Sequence, residues 1–271
     1  MLTIENAQLV IDIFDPRSDQ NYLGTRYCSG GFIFQVTDKV LGPLLSGPTF
    51  PDSYNVFDGQ GIPDSFNLAP LRGAKDPLAL VLGVGLCDLG DNTLREPCLW
   101  NINVKARSIV FTTRHVFQEW IVELERTITL EGRTVISRTV ARNAGADRFP
   151  IVWFPHPFFP QLPDGSDELI KVNPAVGMPD NQAYGLSPNG FIHRKAWPWT
   201  GDYYQALNVA KSSELVIIQR HPTLGMVTAG CNYAPTYFPI WGNRNTFSWE
   251  PMIERTMAPT QEADWQIDYD F

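Results

Sequence analysis

The feature that most constrains this fold is a regular alternation of apolar and polar residues in the middle of the chain. Apolar side chains occupy alternate positions across residues 120–130 and again across residues 134–142, on either side of Glu131 and Gly132. Successive side chains of a β-strand point to opposite faces, so the pattern predicts two strands joined by a tight turn. The charged residues of these strands predict a solvated sheet face with cross-strand pairs, formed by Glu123, Glu125, Arg126, Arg138 and Arg142.

Strand patterns recur along the rest of the chain, and helical periodicity of useful length does not occur. Further strands are predicted at residues 7–14, 26–36, 78–87, 109–113, 214–219, 226–231, 237–241 and 264–271. Two stretches rich in Gly and Pro, residues 41–77 and 164–200, predict long loops, and the first could form one wall of a cleft. No repeat or domain linker is evident, so we predict a single all-β domain spanning residues 1–271.

The charge and the apolar content of the chain narrow the class of partner. The 271 residues carry a formal net charge of -8, which disfavours nucleic acid or an anionic membrane surface and favours a neutral ligand. The N-terminus has no basic region followed by an apolar one, and no run approaches the roughly 18 apolar residues of a membrane span. We therefore expect a soluble, cytoplasmic protein without a membrane partner. The sequence makes no prediction about its oligomeric state.

The cysteines argue against a metal or redox site. Cys28, Cys87, Cys98 and Cys231 form no C-x-x-C pair, and no histidine stands at metal-ligand spacing from them. Free thiols in a reducing compartment are the simplest interpretation, and no metal ion is predicted.

One imidazole stands in an unusual setting. Residues 150–160 read Pro-Ile-Val-Trp-Phe-Pro-His-Pro-Phe-Phe-Pro and hold His156 between prolines and aromatics. Pro155 and Pro157 fix their own φ and favour extended backbone in their neighbours, so a stiff strand or strand end presents the ring. A catalytic or ligand-contacting side chain would be held in this way. A hydrogen-bonded core histidine is the alternative interpretation.

Other polar and aromatic residues are candidates for a ligand site. Glu250 ends an apolar run, Phe-Ser-Trp-Glu-Pro, and is followed by a proline. Arg26 stands between a Gly-Thr pair and an aromatic residue, either in a structural ion pair or as a donor to an oxygen-rich ligand. Trp197 begins an aromatic cluster that includes Asp202 and ends at residue 204. Such a cluster suits stacking on a sugar ring, and it equally suits a loop packed on the edge of a sheet.

Three of these motifs together carry a resemblance to a known family. His156 and the following Pro-Phe-Phe form a motif of His, a small residue and two aromatics. Residues 237–251 read as a late strand followed by Glu-Pro, and residues 264–265 open a final strand. In these places, and in the early Gly-Thr-Arg-Tyr segment at residues 24–27, the chain resembles the aldose 1-epimerase family of the galactose mutarotase-like superfamily.

The resemblance implies a large antiparallel β-sandwich and a small-molecule sugar as ligand. The implied activity is interconversion of the α and β anomers of an aldose, with His156 as the acid because its pKa lies near working pH. Glu250 would be the base, because partial burial could raise its pKa towards neutrality. The scheme requires no cofactor. Further expected sugar contacts are Arg26, Trp241 or Trp197, and either Asp202 or Asp64 as the family's positioned aspartate.

One departure from the family keeps other functions open. Typical mutarotases carry an earlier histidine in a His-Gly-Gly context, whereas residues 57–61 here read Phe-Asp-Gly-Gln-Gly. The sugar must therefore be held differently on that side. The alternatives are a non-catalytic sugar-binding or regulatory module, or another carbohydrate-active enzyme on the same fold, such as a lyase or a hexose-phosphate epimerase. A phosphorylated substrate would want a basic cluster, and the arginines are scattered.

Overall fold

The computed structural model describes residues 1–66, 71–72, 77–210 and 214–271. Within these ranges the chain consists of β-strands, turns and one short 3-10 helix, Gln20–Tyr22, without an α-helix. Neighbouring strands pair antiparallel throughout. The all-β, antiparallel prediction is confirmed.

The strands are numbered in chain order. The first half of the described chain contains β1 (Leu2–Glu5), β2 (Leu9–Ile13), β3 (Ile33–Asp38), β4 (Gly42–Pro43), β5 (Asp64–Phe66), β6 (Leu71–Arg72), β7 (Leu78–Val81), β8 (Gly85–Asp88), β9 (Thr93–Pro97), β10 (Asn101–Val104), β11 (Ser108–Phe117), β12 (Trp120–Glu131) and β13 (Thr134–Asn143). The second half contains β14 (Phe149–Pro155), β15 (Phe159–Pro160), β16 (Glu168–Asn173), β17 (Tyr184–Leu186), β18 (Phe191–Arg194), β19 (Tyr203–Leu207), β20 (Leu215–His221), β21 (Gly225–Cys231), β22 (Phe238–Gly242), β23 (Thr246–Trp249), β24 (Ile253–Met257) and β25 (Glu262–Asp270).

A ten-stranded sheet dominates the described structure, with the strand order β10-β11-β12-β13-β25-β21-β20-β16-β18-β17. Smaller sheets have the orders β24-β14-β5 and β15-β23-β22-β19, and two four-stranded sheets are formed by β1–β4 and by β6–β9. The small sheets pack on the large one through tryptophans. The rings of Trp153 on β14 and Trp265 on β25 are 5.3 Å apart, and those of Trp249 on β23 and Tyr269 on β25 are 5.9 Å apart. The two layers therefore enclose the apolar core, as in a β-sandwich.

The central hairpin forms as its pattern predicts. Glu131 on β12 lies opposite Thr134 on β13, and from this pair the two strands continue without a register shift. The turn between them contains Gly132 at a φ of +60°. On β12, alternate side chains are buried, including those of Val122, Leu124 and Ile128. Burial of this face is what holds the strand in register, because a slip of one residue would exchange the two faces.

Arg126 corrects the prediction of a fully solvated charged face. It lies on the same phase of β12 as the apolar residues, and its side chain is buried with 1% exposure. Its guanidinium pairs with the carboxylate of Asp64 on β5 and also contacts the hydroxyl of Thr139. Glu123, Arg138 and Arg142 do form surface pairs, such as Arg138 with Asp264 at 2.7 Å.

Three predicted segments differ in detail. Residues 78–87 form two strands, because a turn closes from Val84 N to Val81 O at 3.0 Å with Gly83 at a φ of +74°. Residues 164–200 contain β16, β17 and β18 within the stretch predicted as loop. Residues 26–32 precede the strand that was predicted to include them, since β3 begins at Ile33. Parts of the predicted loop at residues 41–77 lie outside the described residues.

Candidate active site

His156 follows the last residue of β14 and is buried, with 4% of its surface exposed. Its backbone N–H donates to the carbonyl of Pro63 at 2.8 Å, where β14 runs beside β5. The imidazole stacks on Phe158 with ring centroids 4.3 Å apart. Prolines on both sides and the stacked ring leave the imidazole little freedom to rotate. The strand-end position agrees with the sequence-based prediction.

Ser248 and Glu250 reach the same imidazole from a different sheet. The hydroxyl of Ser248 on β23 shares a 2.7 Å hydrogen bond with His156 Nδ1. Glu250 comes directly after β23, its backbone N–H donates to Pro239 O at 2.9 Å, and its Oε1 lies 3.3 Å from His156 Nε2. Residues two apart on a strand face the same way, so Ser248 and Glu250 contact the two ring nitrogens side by side.

Burial shifts both members of this pair towards their neutral forms. Desolvation lowers the pKa of His156 well below its usual range, and the nearby positive charge of Arg26 lowers it further. Desolvation raises the pKa of Glu250 to about 7, and Arg26 opposes that shift. The raised pKa of Glu250 is the direction expected from its burial. The lowered pKa of His156 corrects the expectation of a value near working pH, because the ring is almost entirely buried.

The pair opens into a cleft of about 470 Å³. Five residues singled out from the sequence line this cleft together: Arg26, His156, Asp202, Trp241 and Glu250. The indole of Trp241 stands edge-on to the imidazole, with centroids 5.9 Å apart. The volume lies in the range of small-molecule sites, and the lining mixes aromatic faces with a few convergent polar groups.

Arg26 brings a positive charge to the mouth of the cleft. Its guanidinium lies over the rings of Tyr27 and Phe57, at 5.0 and 5.1 Å from their centroids. Its Nη1 donates to the carbonyl of Phe57 at 3.3 Å. No carboxylate of the described chain forms a salt bridge with it. The remaining N–H groups of Arg26 are therefore open to a ligand, which favours the donor interpretation over the ion-pair one.

Two predicted sugar contacts do not line the cleft. Asp64 is 3% exposed and its carboxylate faces Arg126 in the interior, so its charge is committed to a buried ion pair. Trp197 packs under the guanidinium of Arg194 at 3.9 Å, and its Nε1 donates to Asp164 at 2.7 Å. Its ring lies 5.8 Å from that of Trp199, so this end of the aromatic cluster serves the packing of a loop.

Three further lining residues with polar groups were not predicted as sugar contacts: Asp58, Tyr204 and Tyr237. The two tyrosine hydroxyls are 2.6 Å apart. Tyr204 belongs to the aromatic cluster at residues 197–204, so the sequence indicated this segment as a candidate for sugar binding but did not select Tyr204 itself. Asp58 lies in the segment at residues 57–61 and Tyr237 begins the segment at residues 237–251, but neither motif depends on that side chain.

Within the ranges that the structure describes, no group of three or more His, Cys, Asp or Glu side chains is arranged to hold a metal ion. The same ranges contain no helix that is long and apolar enough to cross a membrane. His156, Glu250 and the cleft around them form the candidate site of the described chain.

Comparison with known proteins gives a fold but no close relative. No protein-family model matches the chain, and no curated protein matches it in sequence. Among solved structures, a galactose mutarotase related enzyme from Lactobacillus acidophilus is 14% identical with a TM-score of 0.66, covering 99% of this chain and 96% of that one. A galactose mutarotase-like protein from Lactobacillus casei is 13% identical with a TM-score of 0.62, covering 100% and 99%.

An aldose epimerase homologue from C. elegans is 13% identical with a TM-score of 0.53, covering 99% of this chain and 97% of that one. Identities this low establish the architecture and leave the reaction to be argued from the site. Each of these alignments spans nearly the whole of both chains, which agrees with the resemblance seen in the sequence motifs. The chain has the galactose mutarotase-like β-sandwich fold.

Proposed function

We propose that this protein is an aldose 1-epimerase that interconverts the α and β anomers of a sugar by opening and reclosing its ring. The observation that carries the proposal is the distance of 3.3 Å between His156 Nε2 and Glu250 Oε1 in a cleft with aromatic walls. Both groups are buried, and each is a potential proton donor or acceptor.

The reaction needs one proton donor and one proton acceptor at the same carbon. The ring oxygen must gain a proton while the anomeric hydroxyl loses one, so that the bond from C1 to the ring oxygen breaks and a carbonyl forms at C1. Rotation about the bond from C1 to C2 then presents the other face of the carbonyl, and the reverse transfers close the ring. Both oxygens are bonded to C1, so the donor and the acceptor must lie close together.

The buried pair meets this requirement with a single shared proton. In the neutral pair that burial favours, Nδ1 donates to Ser248 and Nε2 accepts from a protonated Glu250. Glu250 gives its proton to the ring oxygen while Nε2 takes the proton of the anomeric hydroxyl, which leaves an imidazolium beside a carboxylate.

The proton count of the pair is unchanged after ring opening, because one proton leaves and one arrives. The proton has moved from one end of the pair to the other, so ring closure proceeds with the roles exchanged. Burial of both groups makes the neutral pair, with the proton on Glu250, the resting state of this exchange. We therefore assign Glu250 as the acid and His156 as the base of ring opening, the reverse of the first step expected from the sequence, and the two residues exchange roles on reclosure.

The lining favours a neutral sugar over a phosphorylated one. Of the described residues that line the cleft, Arg26 alone is cationic, while Asp58, Asp202 and Glu250 are carboxylic acids. A phosphate group would meet more negative than positive charge there. Carboxylate oxygens accept hydrogen bonds from sugar hydroxyls, Arg26 donates to them, and Trp241 offers an apolar face to the ring.

The test is the rate at which freshly dissolved α-D-glucose and α-D-galactose reach anomeric equilibrium, followed by polarimetry or proton NMR. We expect the wild-type protein to accelerate equilibration, and His156→Ala and Glu250→Gln each to lower kcat/KM by about 100-fold or more. His193→Ala is the matched control, because His193 Nδ1 also shares a hydrogen bond with a serine, Ser187 at 2.9 Å, away from the cleft.

Two results would contradict the proposal. One is a folded wild-type protein that accelerates neither sugar, which would favour a non-catalytic sugar-binding module. The other is acceleration that survives both substitutions, which would place the chemistry elsewhere. Circular dichroism of each variant separates loss of the site from loss of the fold.

A further inference from the structure

A row of side chains runs outward from the acid–base pair across three neighbouring strands. Ser248 on β23 stands opposite Trp241 on β22, and Trp241 stands opposite Tyr204 on β19. Directly opposed residues of an antiparallel pair project from the same face of the sheet. Ser248, at the inner end of the row, is hydrogen-bonded to His156, and β19, at the outer end, is the edge strand of its sheet.

The outer end of this row is a pair of exposed, mutually anchored tyrosines. Tyr204 and Tyr237 line the cleft and are 55% and 44% exposed. Their hydroxyls lie 2.6 Å apart, so each ring is restrained by the other. Tyr237 is held at its backbone by a bridge to Met252, which also lines the cleft. Aromatic surface that is exposed and already ordered loses little conformational entropy when a ligand covers it.

The cleft is larger than the sugar on which the pair acts. A hexose has twelve heavy atoms. If each atom takes about half of the ~30 Å³ that a water molecule occupies in the liquid, the sugar occupies roughly 180 Å³. The cleft volume of about 470 Å³ exceeds that of one hexose more than twofold. Tyr204 on β19 lies two strands from Ser248 on β23, about 10 Å at ~4.8 Å for each spacing, with Trp241 between them.

From these observations we infer that the cleft has a second subsite, in which Tyr204 and Tyr237 stack on the sugar residue attached to the one whose anomeric centre reacts. The inference rests on the proposed function for its orientation, with the reducing end at His156 and Glu250. The ligand class is then a neutral reducing disaccharide or longer oligosaccharide. Asp202, beside Tyr204 in the lining, supplies an acceptor for hydroxyls of the second residue.

The test compares disaccharides with the monosaccharide at their reducing end. Dissociation constants are measured by isothermal titration calorimetry for maltose, cellobiose, lactose and galactobiose against glucose and galactose. The Glu250→Gln protein is used beside the wild type, so that binding is measured without turnover. We expect at least one disaccharide to bind about tenfold more tightly than its reducing-end monosaccharide, as two aromatic contacts would give.

Variants identify the tyrosines as the cause. Tyr204→Ala and Tyr237→Ala should each reduce the ratio of monosaccharide to disaccharide dissociation constants towards one, while Tyr204→Phe, which keeps the ring, should retain most of the preference. Tyr22→Ala is the matched control, because Tyr22 is 47% exposed and does not line the cleft. It should leave the ratio unchanged.

The subsite is overturned if no disaccharide binds more tightly than its monosaccharide. It is also overturned if the two alanine variants weaken both classes of ligand equally. Failure of the proposed function gives a different result: a disaccharide preference that depends on the tyrosines, without any acceleration of anomer equilibration. That outcome would describe an oligosaccharide-binding protein and leave the second subsite in place.

Discussion

His156 Nε2 lies 3.3 Å from Glu250 Oε1, although the two residues belong to segments that follow different sheets. Each segment is held by a backbone hydrogen bond, from His156 N to Pro63 O and from Glu250 N to Pro239 O. The contact is therefore set by the main chain as well as by the side chains. A site that must hold one proton between two atoms requires such rigid support.

The pH dependence of the proposed reaction follows from the shared proton. Above about pH 7, where Glu250 titrates, the pair loses its proton and has two acceptors without a donor. Below the lowered pKa of His156 the pair gains a second proton and loses its acceptor. We expect kcat/KM to fall about tenfold per pH unit on the alkaline side, with an acid limb well below the usual range of histidine. Polarimetry between pH 4 and pH 9, corrected for the uncatalysed rate, measures the profile. A rate that keeps rising through pH 8 would exclude the shared-proton assignment.

The same carboxyl group should make the folded state less stable as pH rises. The pKa of Glu250 is raised in the folded protein to about 7, so its favourable contribution is complete below its ordinary pKa and is lost as pH increases through 7. Relative to Glu250→Gln, we expect the free energy of unfolding of the wild type to decrease by roughly 3 kcal/mol between pH 4 and pH 8.

Urea denaturation of both proteins across that range gives the difference directly. Asp64, whose pKa burial raises to about 6, acts in the same direction, but it is present in both proteins and cancels. Glu254→Gln, at an exposed glutamate of β24, is the control and should track the wild type. A constant difference between the wild type and Glu250→Gln would show that Glu250 titrates normally in the folded protein.

The buried ion pair of Asp64 and Arg126 should be intolerant of losing one partner. Asp64→Asn leaves the guanidinium of Arg126 in the interior with only the hydroxyls of Ser137 and Thr139 as side-chain partners. We expect the free energy of unfolding to decrease by about 3–5 kcal/mol in urea denaturation. Asp264→Asn breaks the half-exposed pair with Arg138 and should cost about 0–1 kcal/mol. Equal losses in the two variants would refute the distinction between the buried and the surface pair.

Ser248 should act as a positioning residue for His156. Ser248→Ala removes the 2.7 Å hydrogen bond to Nδ1 and leaves a buried ring nitrogen without that partner. A loss of this kind is worth about 1–3 kcal/mol, so we expect kcat to fall by roughly tenfold with little change in KM. Ser248→Thr, which keeps the hydroxyl, should retain more activity, and Ser187→Ala provides the control at the second serine–histidine pair. Loss of sugar affinity without loss of kcat would instead place Ser248 in ligand binding.

The secondary structure could be read from the sequence because it depends on local patterns. The alternation on β12 and β13, the Glu131-Gly132 turn and the closing strand at residues 264–271 were all predictable, and β25 covers nearly all of that last range. Arg126 was also within reach, since it stands on the apolar phase of β12. Its charge favours an exposed position, but its phase on β12 places it with the apolar residues, and the structure follows the phase.

The geometry of the site was decided by the tertiary structure. The prolines around His156 predicted a stiff strand end, and the family resemblance selected Glu250, but pattern alone does not place two strands of different sheets 3.3 Å apart at their side chains. The separation of Trp197 from Trp241 has the same origin, since one aromatic packs on Arg194 and the other lines the cleft. Alternation and turn residues act over a few positions and specify strands. Burial, pKa and the contact between distant segments depend on how the sheets pack, and packing sums interactions from the whole chain.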